Sequence, residues 1–187
     1  MLTEGGTFVR IQENKKFLIV FCMLGFLIGI IYANMMSKDY IASMGIFSEF
    51  FLTQYSQAEI DVMEYMWYVI RVRAVPLALV AALGCTRIRK GIAGGFLAWT
   101  GFCAGMVMTS AVLKMGVKGV ILCLIALTPH FVFYAAGYIV LLWYLLTYPE
   151  AKWNLSKTVS MVLFVAVGIL LECYVNPIIM ELFLKTL

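Results

Sequence analysis

Residues 17–36 read FLIVFCMLGFLIGIIYANMM, an apolar run without a single charged side chain. A helix of about 20 residues crosses the ~30 Å hydrocarbon core of a bilayer, so this run predicts a membrane span. The rest of the chain has the same character, because 64% of its 187 residues are hydrophobic and only 13% are charged. Soluble domains carry about a quarter charged residues. The sequence therefore predicts an all-α integral membrane protein.

Four further apolar stretches bring the number of predicted spans to five, and they lie at about 66–85, 92–113, 119–146 and 159–179. The stretch 119–146 is longer than one straight crossing requires, and Pro129 in its middle removes a backbone donor. We therefore expect a kinked or broken fourth span. Residues 1–16 are expected to form a cytoplasmic segment and 17–187 a single membrane domain, with 37–65 as its one sizeable loop.

The distribution of lysine and arginine predicts the orientation, because cytoplasmic loops carry an excess of these residues. A cytoplasmic N-terminus places eight of the 14 basic residues inside, among them the cluster Arg87, Arg89 and Lys90. Four lysines, together with Arg71 and Arg73, then lie on or near the outer side. We expect the N-terminus inside and the C-terminus outside. No basic run is dense enough to indicate nucleic-acid binding.

The loop 37–65 carries five acidic residues and one lysine, and its middle is rich in large apolar side chains. Ile46 and Phe50 share a helical face, and Phe47 and Phe51 lie beside it. This pattern predicts an amphipathic helix that lies either on the outer membrane surface or against a partner. These four residues are the predicted partner interface.

Glycines dominate the third span, where Gly91 and Gly95, and again Gly101 and Gly105, are separated by three residues. Small residues at this spacing let helices in lipid approach closely, and we predict close helix contacts at all four positions. The pattern fits packing inside one bundle as well as association of several copies, so a homo-oligomer stays open.

Several polar or helix-breaking residues interrupt the predicted spans, and such groups usually face the protein interior or water. They are Arg71 and Arg73 in the second span, Pro129 and His130 in the fourth, and Glu172 and Pro177 in the fifth. Glu172 could pair with an arginine, accept a hydrogen bond from His130, or be protonated. One interpretation is a polar pair of His130 and Glu172 that fixes the register of two helices. The other is a proton or ion relay.

Catalytic and metal-binding patterns are missing from the sequence. The five cysteines form no CxxC pair and the chain has a single histidine, so we expect neither a metal site nor a disulfide framework. The chain contains no HExxH, GxSxG or P-loop pattern. We therefore predict a protein that is not an enzyme and binds no cofactor.

Three segments, taken in order, resemble the stage II sporulation protein M family, small bacterial membrane proteins with about five spans. They read KGIAGGF at 90–96, LTPH at 127–130 and LLECYVNP at 170–177, and the last looks like that family's Glu-aromatic-Pro signature. Many relatives have Pro-His-Gly followed three residues later by Glu. Here Phe131 and Tyr134 stand at the Gly and Glu positions, so the resemblance does not imply two facing carboxylates.

The resemblance implies a role in endospore formation in a bacterial cell membrane. The sporulation member of that family anchors two cell-wall enzymes, the stage II sporulation proteins D and P, which remodel peptidoglycan during engulfment. The expected function is thus a membrane scaffold that recruits such hydrolases on its outer face. The alternative is a component of a membrane transporter or channel, with a polar path through the fourth and fifth spans.

Overall fold

A computed structural model of the chain describes residues 3–36, 61–149 and 152–184. The regular elements in these ranges are all helical, as the composition predicted. In chain order they are α1 (Thr3–Met35), α2 (Val62–Gly84), α3 (Arg89–Met115), α4 (Val117–Leu127), α5 (His130–Thr147), α6 (Leu155–Leu170), a π-helical turn (Leu171–Val175) and α7 (Asn176–Leu184).

Five helical stretches are long and apolar enough to cross a membrane: Lys16–Met35, Val62–Gly84, Arg89–Met115, His130–Thr147 and Leu155–Leu182. Large apolar side chains are exposed along all five of them, which a soluble protein would not tolerate. Lipid must cover this surface, because a chain of this size has too little interior to bury it. The protein is therefore a multi-pass membrane protein with five apolar helices, which confirms the predicted fold class.

The fourth predicted span is broken at Pro129. Helix α4 has 11 residues and measures about 16 Å, roughly half of the hydrocarbon core. Thr128 is extended (ψ 139°), and Pro129 then directly precedes the first residue of α5. Proline disfavours helical geometry in the residue before it, which explains why α4 ends at this point. Helix α5 alone is long enough to span.

A tight turn at Gly116 folds α4 back onto α3. Gly116 adopts a positive φ of 60°, a conformation that favours glycine. Gly119 then lies against the carbonyl group of Ala111, where a Cβ atom would overlap the oxygen. Leu122 and Cys123 complete a small buried cluster with Ala111.

Helix α2 begins at Val62, four residues before the predicted start of the second span. The carboxylate of Asp61 accepts hydrogen bonds from the backbone N–H groups of Met63 (2.8 Å) and Glu64 (3.4 Å), and this cap sets the start of the helix. Residues 62–65 are thus helical rather than part of the loop. The predicted interface residues Ile46, Phe47, Phe50 and Phe51 lie outside the described residues.

The fifth span runs through α6, the π-helical turn and α7 without a break. Asn154 caps its start, because its side chain accepts a hydrogen bond from the N–H of Lys157 at 3.1 Å. Near its middle the N–H of Asn176 donates to the carbonyl of Leu171, five residues back. Pro177 follows directly and has no N–H to donate. The wider turn accommodates this irregularity, as π-bulges commonly do in helices.

Basic residues collect at one end of the bundle, where α2 and α5 end and α3 and α6 begin. The Arg89 guanidinium lies 3.6 Å from the ring centre of Tyr148, just after α5. The rings of Tyr144 and Trp153 pack with centroids 4.9 Å apart, which brings the start of α6 to the same place. We call this the basic end. It carries Lys16, Arg87, Arg89, Lys90, Lys152 and Lys157.

Candidate functional site

The centre of the bundle contains an ion pair between α2 and the π-helical turn. Arg73 lies near the middle of α2, and its guanidinium donates two hydrogen bonds to the carboxylate of Glu172. Nε donates to Oε2 at 3.0 Å and an Nη atom donates to Oε1 at 2.5 Å. This fork geometry fixes the relative orientation of the two groups as well as their distance.

Tyr134 from α5 joins the ion pair. Its buried hydroxyl donates to Oε2 of Glu172 at 2.7 Å. The guanidinium carbon of Arg73 lies 4.8 Å from the centre of the Tyr134 ring, within the range of a cation–π contact. We call Arg73, Tyr134 and Glu172 the polar cluster. It connects α2, α5 and the fifth span through side chains alone.

Glycines in α5 and α6 create the space for this arrangement. At Gly168 an added Cβ atom would lie 2.7 Å from Cε1 of Tyr134, so the tyrosine ring occupies the room that a side chain would need. Gly137, one turn beyond Tyr134, lets α5 approach Val165 of α6, where a Cβ would meet the Val165 side chain at 3.1 Å. Close packing of α5 and α6 therefore positions the hydroxyl of Tyr134.

His130 lies beside the cluster and not in it. Its side chain is buried, with 4% of its surface exposed, and its ring meets the Tyr134 ring edge-on at 5.9 Å. Among the described residues, no group bonds to its Nδ1 atom. The hydrogen bond from His130 to Glu172 that the sequence suggested is not formed, and the carboxylate accepts hydrogen bonds from Arg73 and Tyr134. Tyr134 contacts both residues, since it lies one turn from His130 on the same face of α5.

Asn176 supplies a second buried polar atom near the cluster. It follows Glu172 by one turn of the fifth span, and its Oδ1 is buried with no hydrogen-bond partner in the described part of the chain. The sequence reasoning passed over this residue. Its spacing of four from Glu172 was the available signal, because residues so spaced share a helical face.

The other polar positions predicted within the spans have different roles. Arg71 is exposed and, within the described ranges, forms no ion pair. A separation of two residues places it about 200° around α2 from Arg73. Pro129 and Pro177 act on the backbone, at the break before α5 and just after the π-helical turn.

A glycine seam joins α1 to α3. An added Cβ at Gly101 would overlap the carbonyl oxygen of Cys22, and one at Gly105 would overlap that of Phe26. Two glycines of α1, which the sequence did not single out, lie in the same way against carbonyl groups of α3. Cβ atoms at Gly25 and Gly29 would overlap the carbonyl oxygens of Ala98 and Phe102. The same spacing of four residues in the first span was the signal that could have found them.

Gly91 and Gly95 do not take part in this seam. Both are exposed, and a Cβ atom at either position would meet no described atom within 4 Å. Of the four predicted contact glycines, two therefore lie in the α1–α3 seam and two lie on an open face of α3.

The described residues contain no group of three histidine, cysteine or acidic side chains that could hold a metal ion. All five cysteines are free thiols. The polar cluster pairs the carboxylate of Glu172 with the guanidinium of Arg73, so the two charges neutralise each other inside the bundle.

Comparison with protein-family models, with curated proteins and with solved structures finds no match to this chain.

Proposed function

We propose that this protein is a membrane scaffold without catalytic activity, in which the polar cluster holds three helices in a fixed register. One observation carries the proposal: both carboxylate oxygens of Glu172 accept hydrogen bonds from side chains of other helices. The charges of Arg73 and Glu172 are thus held in a fixed arrangement that stabilises the bundle. A relay would instead need a carboxylate that exchanges partners.

The energetics of burial support a register role. Removing a carboxylate and a guanidinium from water costs several kcal/mol for each ion, and only good geometry offsets that cost. A shift of α2 along the fifth span by one residue, about 1.5 Å, would break the fork between Arg73 and Glu172. The pair therefore favours one arrangement of the bundle, and a scaffold needs such a fixed arrangement.

The partners of this scaffold are proposed from the resemblance to the stage II sporulation protein M family. Positions 134 and 172, which often carry two acids in those relatives, are in contact here through the Tyr134 hydroxyl. We propose a bacterial cell membrane with the N-terminus in the cytoplasm and the C-terminus outside. On the outer face, Ile46, Phe47, Phe50 and Phe51 would bind peptidoglycan hydrolases resembling stage II sporulation proteins D and P during engulfment.

An affinity pull-down from sporulating cells in mild detergent, followed by mass spectrometry, tests these partners. We expect peptidoglycan hydrolases to co-purify with the tagged protein and to be lost in the Phe50→Ser/Phe51→Ser variant. Val62→Ser/Met63→Ser is the matched control, since both residues are exposed apolar side chains at the start of α2. Recovery of transporter subunits without any wall enzyme would contradict the proposal.

A component of a transporter or channel is the second candidate, and two specific atoms favour it. His130 Nδ1 and Asn176 Oδ1 are buried near the polar cluster without a partner among the described residues. Ionisable and polar groups inside a membrane frequently mark proton or ion pathways. Helix breaks such as the one at Pro129 also occur at transport sites.

Reconstitution into liposomes that enclose a pH-sensitive dye separates the two candidates. The scaffold proposal expects no proton flux above that of empty liposomes. It also expects Glu172→Gln to lower protein abundance, because the guanidinium of Arg73 loses its counter-ion. A flux that Glu172→Gln abolishes at normal abundance, and that Arg71→Gln leaves intact, would instead establish the conduit.

A further inference from the structure

An open cavity lies at the basic end, between the start of α3 and the residue that follows α5. Its volume is about 500 Å³, and it is lined by Arg87, Ile88, Arg89, Lys90, Gly91 and Tyr148. Three of these six residues are cations. The cavity therefore combines positive charge with an apolar and aromatic wall.

The basic residues of this cavity differ in how they are held. Arg89 is stacked on Tyr148 at 3.6 Å, which fixes its guanidinium between α3 and the end of α5. Arg87 and Lys90 are exposed and, in the part of the chain that the structure describes, form no ion pair. No side chain caps the start of α3, so its first backbone N–H groups also lie at the cavity without intrahelical partners. An anion at this place would meet both exposed cations and oriented backbone N–H donors.

The open face of α3 continues from this cavity toward the middle of the membrane. Gly91 lines the cavity, and Gly95 lies one turn further along the same face, with no described atom within 4 Å of either Cβ position. Trp99 follows one more turn along and is 65% exposed. The two glycines thus form a shallow groove in the helix surface, with an aromatic side chain at its far end.

We propose that this cavity and groove bind one anionic phospholipid. Its phosphate contacts Arg87, Lys90 and the start of α3, and one acyl chain lies along Gly91 and Gly95 against Trp99. Basic pockets between membrane helices bind anionic headgroups by this chemistry. The site also gives a role to the two glycines that the α1–α3 seam leaves out.

The groove distinguishes a lipid from a free anion. A soluble phosphate would use the cations and the helix start alone, and it would gain nothing from a small-residue groove that leads into the apolar part of α3. Ile88, at the mouth of the cavity, is 70% exposed, and an acyl chain covers such an apolar side chain whereas phosphate does not. Charge and apolar surface together match a phospholipid.

Native mass spectrometry of the purified full-length protein in mild detergent tests the site, with dioleoyl phosphatidylglycerol and dioleoyl phosphatidylcholine as probes. The wild type should prefer phosphatidylglycerol. Each basic residue near an anionic lipid contributes about fivefold in affinity, so Arg87→Gln/Lys90→Gln should weaken phosphatidylglycerol binding about 25-fold. Phosphatidylcholine binding should stay unchanged. Lys114→Gln/Lys118→Gln, which removes the same charge elsewhere, is the control and should retain the preference.

A second variant tests the groove without altering charge or the cations. Gly95→Leu fills the groove, and we expect it to weaken binding of dioleoyl phosphatidylglycerol while a short-chain dihexanoyl analogue binds as in the wild type. Unchanged phosphatidylglycerol binding in both Arg87→Gln/Lys90→Gln and Gly95→Leu would overturn the proposal. So would an equal loss in the Lys114→Gln/Lys118→Gln control. Full displacement of the lipid by millimolar inorganic phosphate would show that the site binds a free anion instead.

Discussion

Helices α1 and α3 touch through their backbones, whereas α2, α5 and the fifth span are joined by charged and hydroxyl side chains. In the seam, Gly25 and Gly29 face carbonyl groups of α3, and Gly101 and Gly105 face carbonyl groups of α1. In the polar cluster, Arg73 and Tyr134 reach across to one carboxylate. The α1–α3 seam depends on glycines, which have no side chain, whereas the polar cluster depends on the long side chains of Arg73 and Tyr134.

The difference reflects the lack of a hydrophobic driving force between helices that are already in lipid. Van der Waals packing and interhelical hydrogen bonds remain available. The seam relies on packing, whereas the polar cluster adds hydrogen bonds to the close packing of α5 and α6. The seam tolerates no added atoms, because its neighbours are backbone groups that cannot rotate away. The cluster is sensitive to the loss of either charged partner, because the other charge would be left unpaired inside the bundle. Added side-chain atoms should therefore destabilise the seam, and loss of a charged partner should destabilise the polar cluster.

Gly101→Leu should have the largest effect. Its Cβ would overlap the carbonyl oxygen of Cys22, so α1 and α3 must separate along the whole seam. Overpacking of this kind usually costs about 1–3 kcal/mol, and we expect about 3 kcal/mol or more because backbone lies against backbone. The measurement is thermal unfolding of the purified protein in detergent.

Gly95→Leu is the matched control for this experiment, since it makes the same substitution on the same helix in open space. It should not destabilise the protein and should raise the free energy of unfolding by up to about 1 kcal/mol, because Leu has a higher helix propensity than Gly. Helix propensity favours Leu over Gly at both positions, so equal destabilisation by the two variants would mean that the seam contact does not determine the result.

Arg73→Met should have the next largest effect, because it leaves the carboxylate of Glu172 without its cation. Breaking a fully buried pair costs about 3–5 kcal/mol, and we expect about 2 kcal/mol here because the Arg73 side chain is 38% exposed. The Arg73→Met/Glu172→Leu variant should recover most of this loss, since no unpaired charge remains. A double-mutant cycle of unfolding free energies measures the recovery.

Arg71→Met controls for the loss of a positive charge from α2 and should cost little, since Arg71 is exposed and lacks an ion pair among the described residues. If Arg71→Met proves as costly as Arg73→Met, the fork to Glu172 is not what stabilises the bundle.

Tyr134→Phe should have a smaller effect of about 1 kcal/mol. It removes the hydroxyl that donates to Glu172 at 2.7 Å but keeps the ring beside Arg73 and Gly168. Hydrogen bonds between membrane helices are worth about 0.6 kcal/mol on average, and one to a carboxylate should exceed that. Tyr138→Phe, one turn away on the same helix, is the control, and the two unfolding curves should separate. Coincident curves would argue against the hydroxyl contact.

The sequence predicted the membrane helices because their signal is local. Length and hydropathy indicated five spans, and Pro129 indicated the place where the fourth is broken. The start of α2 was placed four residues late, since the cap by Asp61 is a short polar signal inside an acidic loop. Helix existence was thus more predictable than helix boundaries.

The partners of Glu172 could not be chosen from the sequence. Arg71, Arg73 and His130 were all candidates, and the choice depends on how each helix is rotated about its own axis. Packing between helices sets that rotation, and hydropathy carries little information about it. Tyr134 drew notice only as a departure from a family pattern. Its contact with Glu172 requires the close approach of α5 and α6 that Gly168 permits.

His130→Phe should have the smallest effect in the polar region, even though His130 is as deeply buried as Tyr134 and Glu172. The described residues offer its Nδ1 no hydrogen-bond partner, so the native side chain already bears the cost of an unsatisfied polar atom. Phenylalanine has a similar shape, can keep the edge contact with Tyr134, and carries no polar atom. We expect the free energy of unfolding to change by less than about 0.5 kcal/mol, or to rise.

This last comparison separates residues that hold the bundle together from residues that merely share its interior. Chemical or thermal unfolding of His130→Phe beside Tyr134→Phe gives the measurement, with each variant removing one polar group from the same face of α5. A loss of more than about 2 kcal/mol for His130→Phe would mean that Nδ1 is bonded outside the described residues, since buried hydrogen bonds cost about that much to break. The polar region would then extend beyond Arg73, Tyr134 and Glu172, and the conduit would gain support over the scaffold.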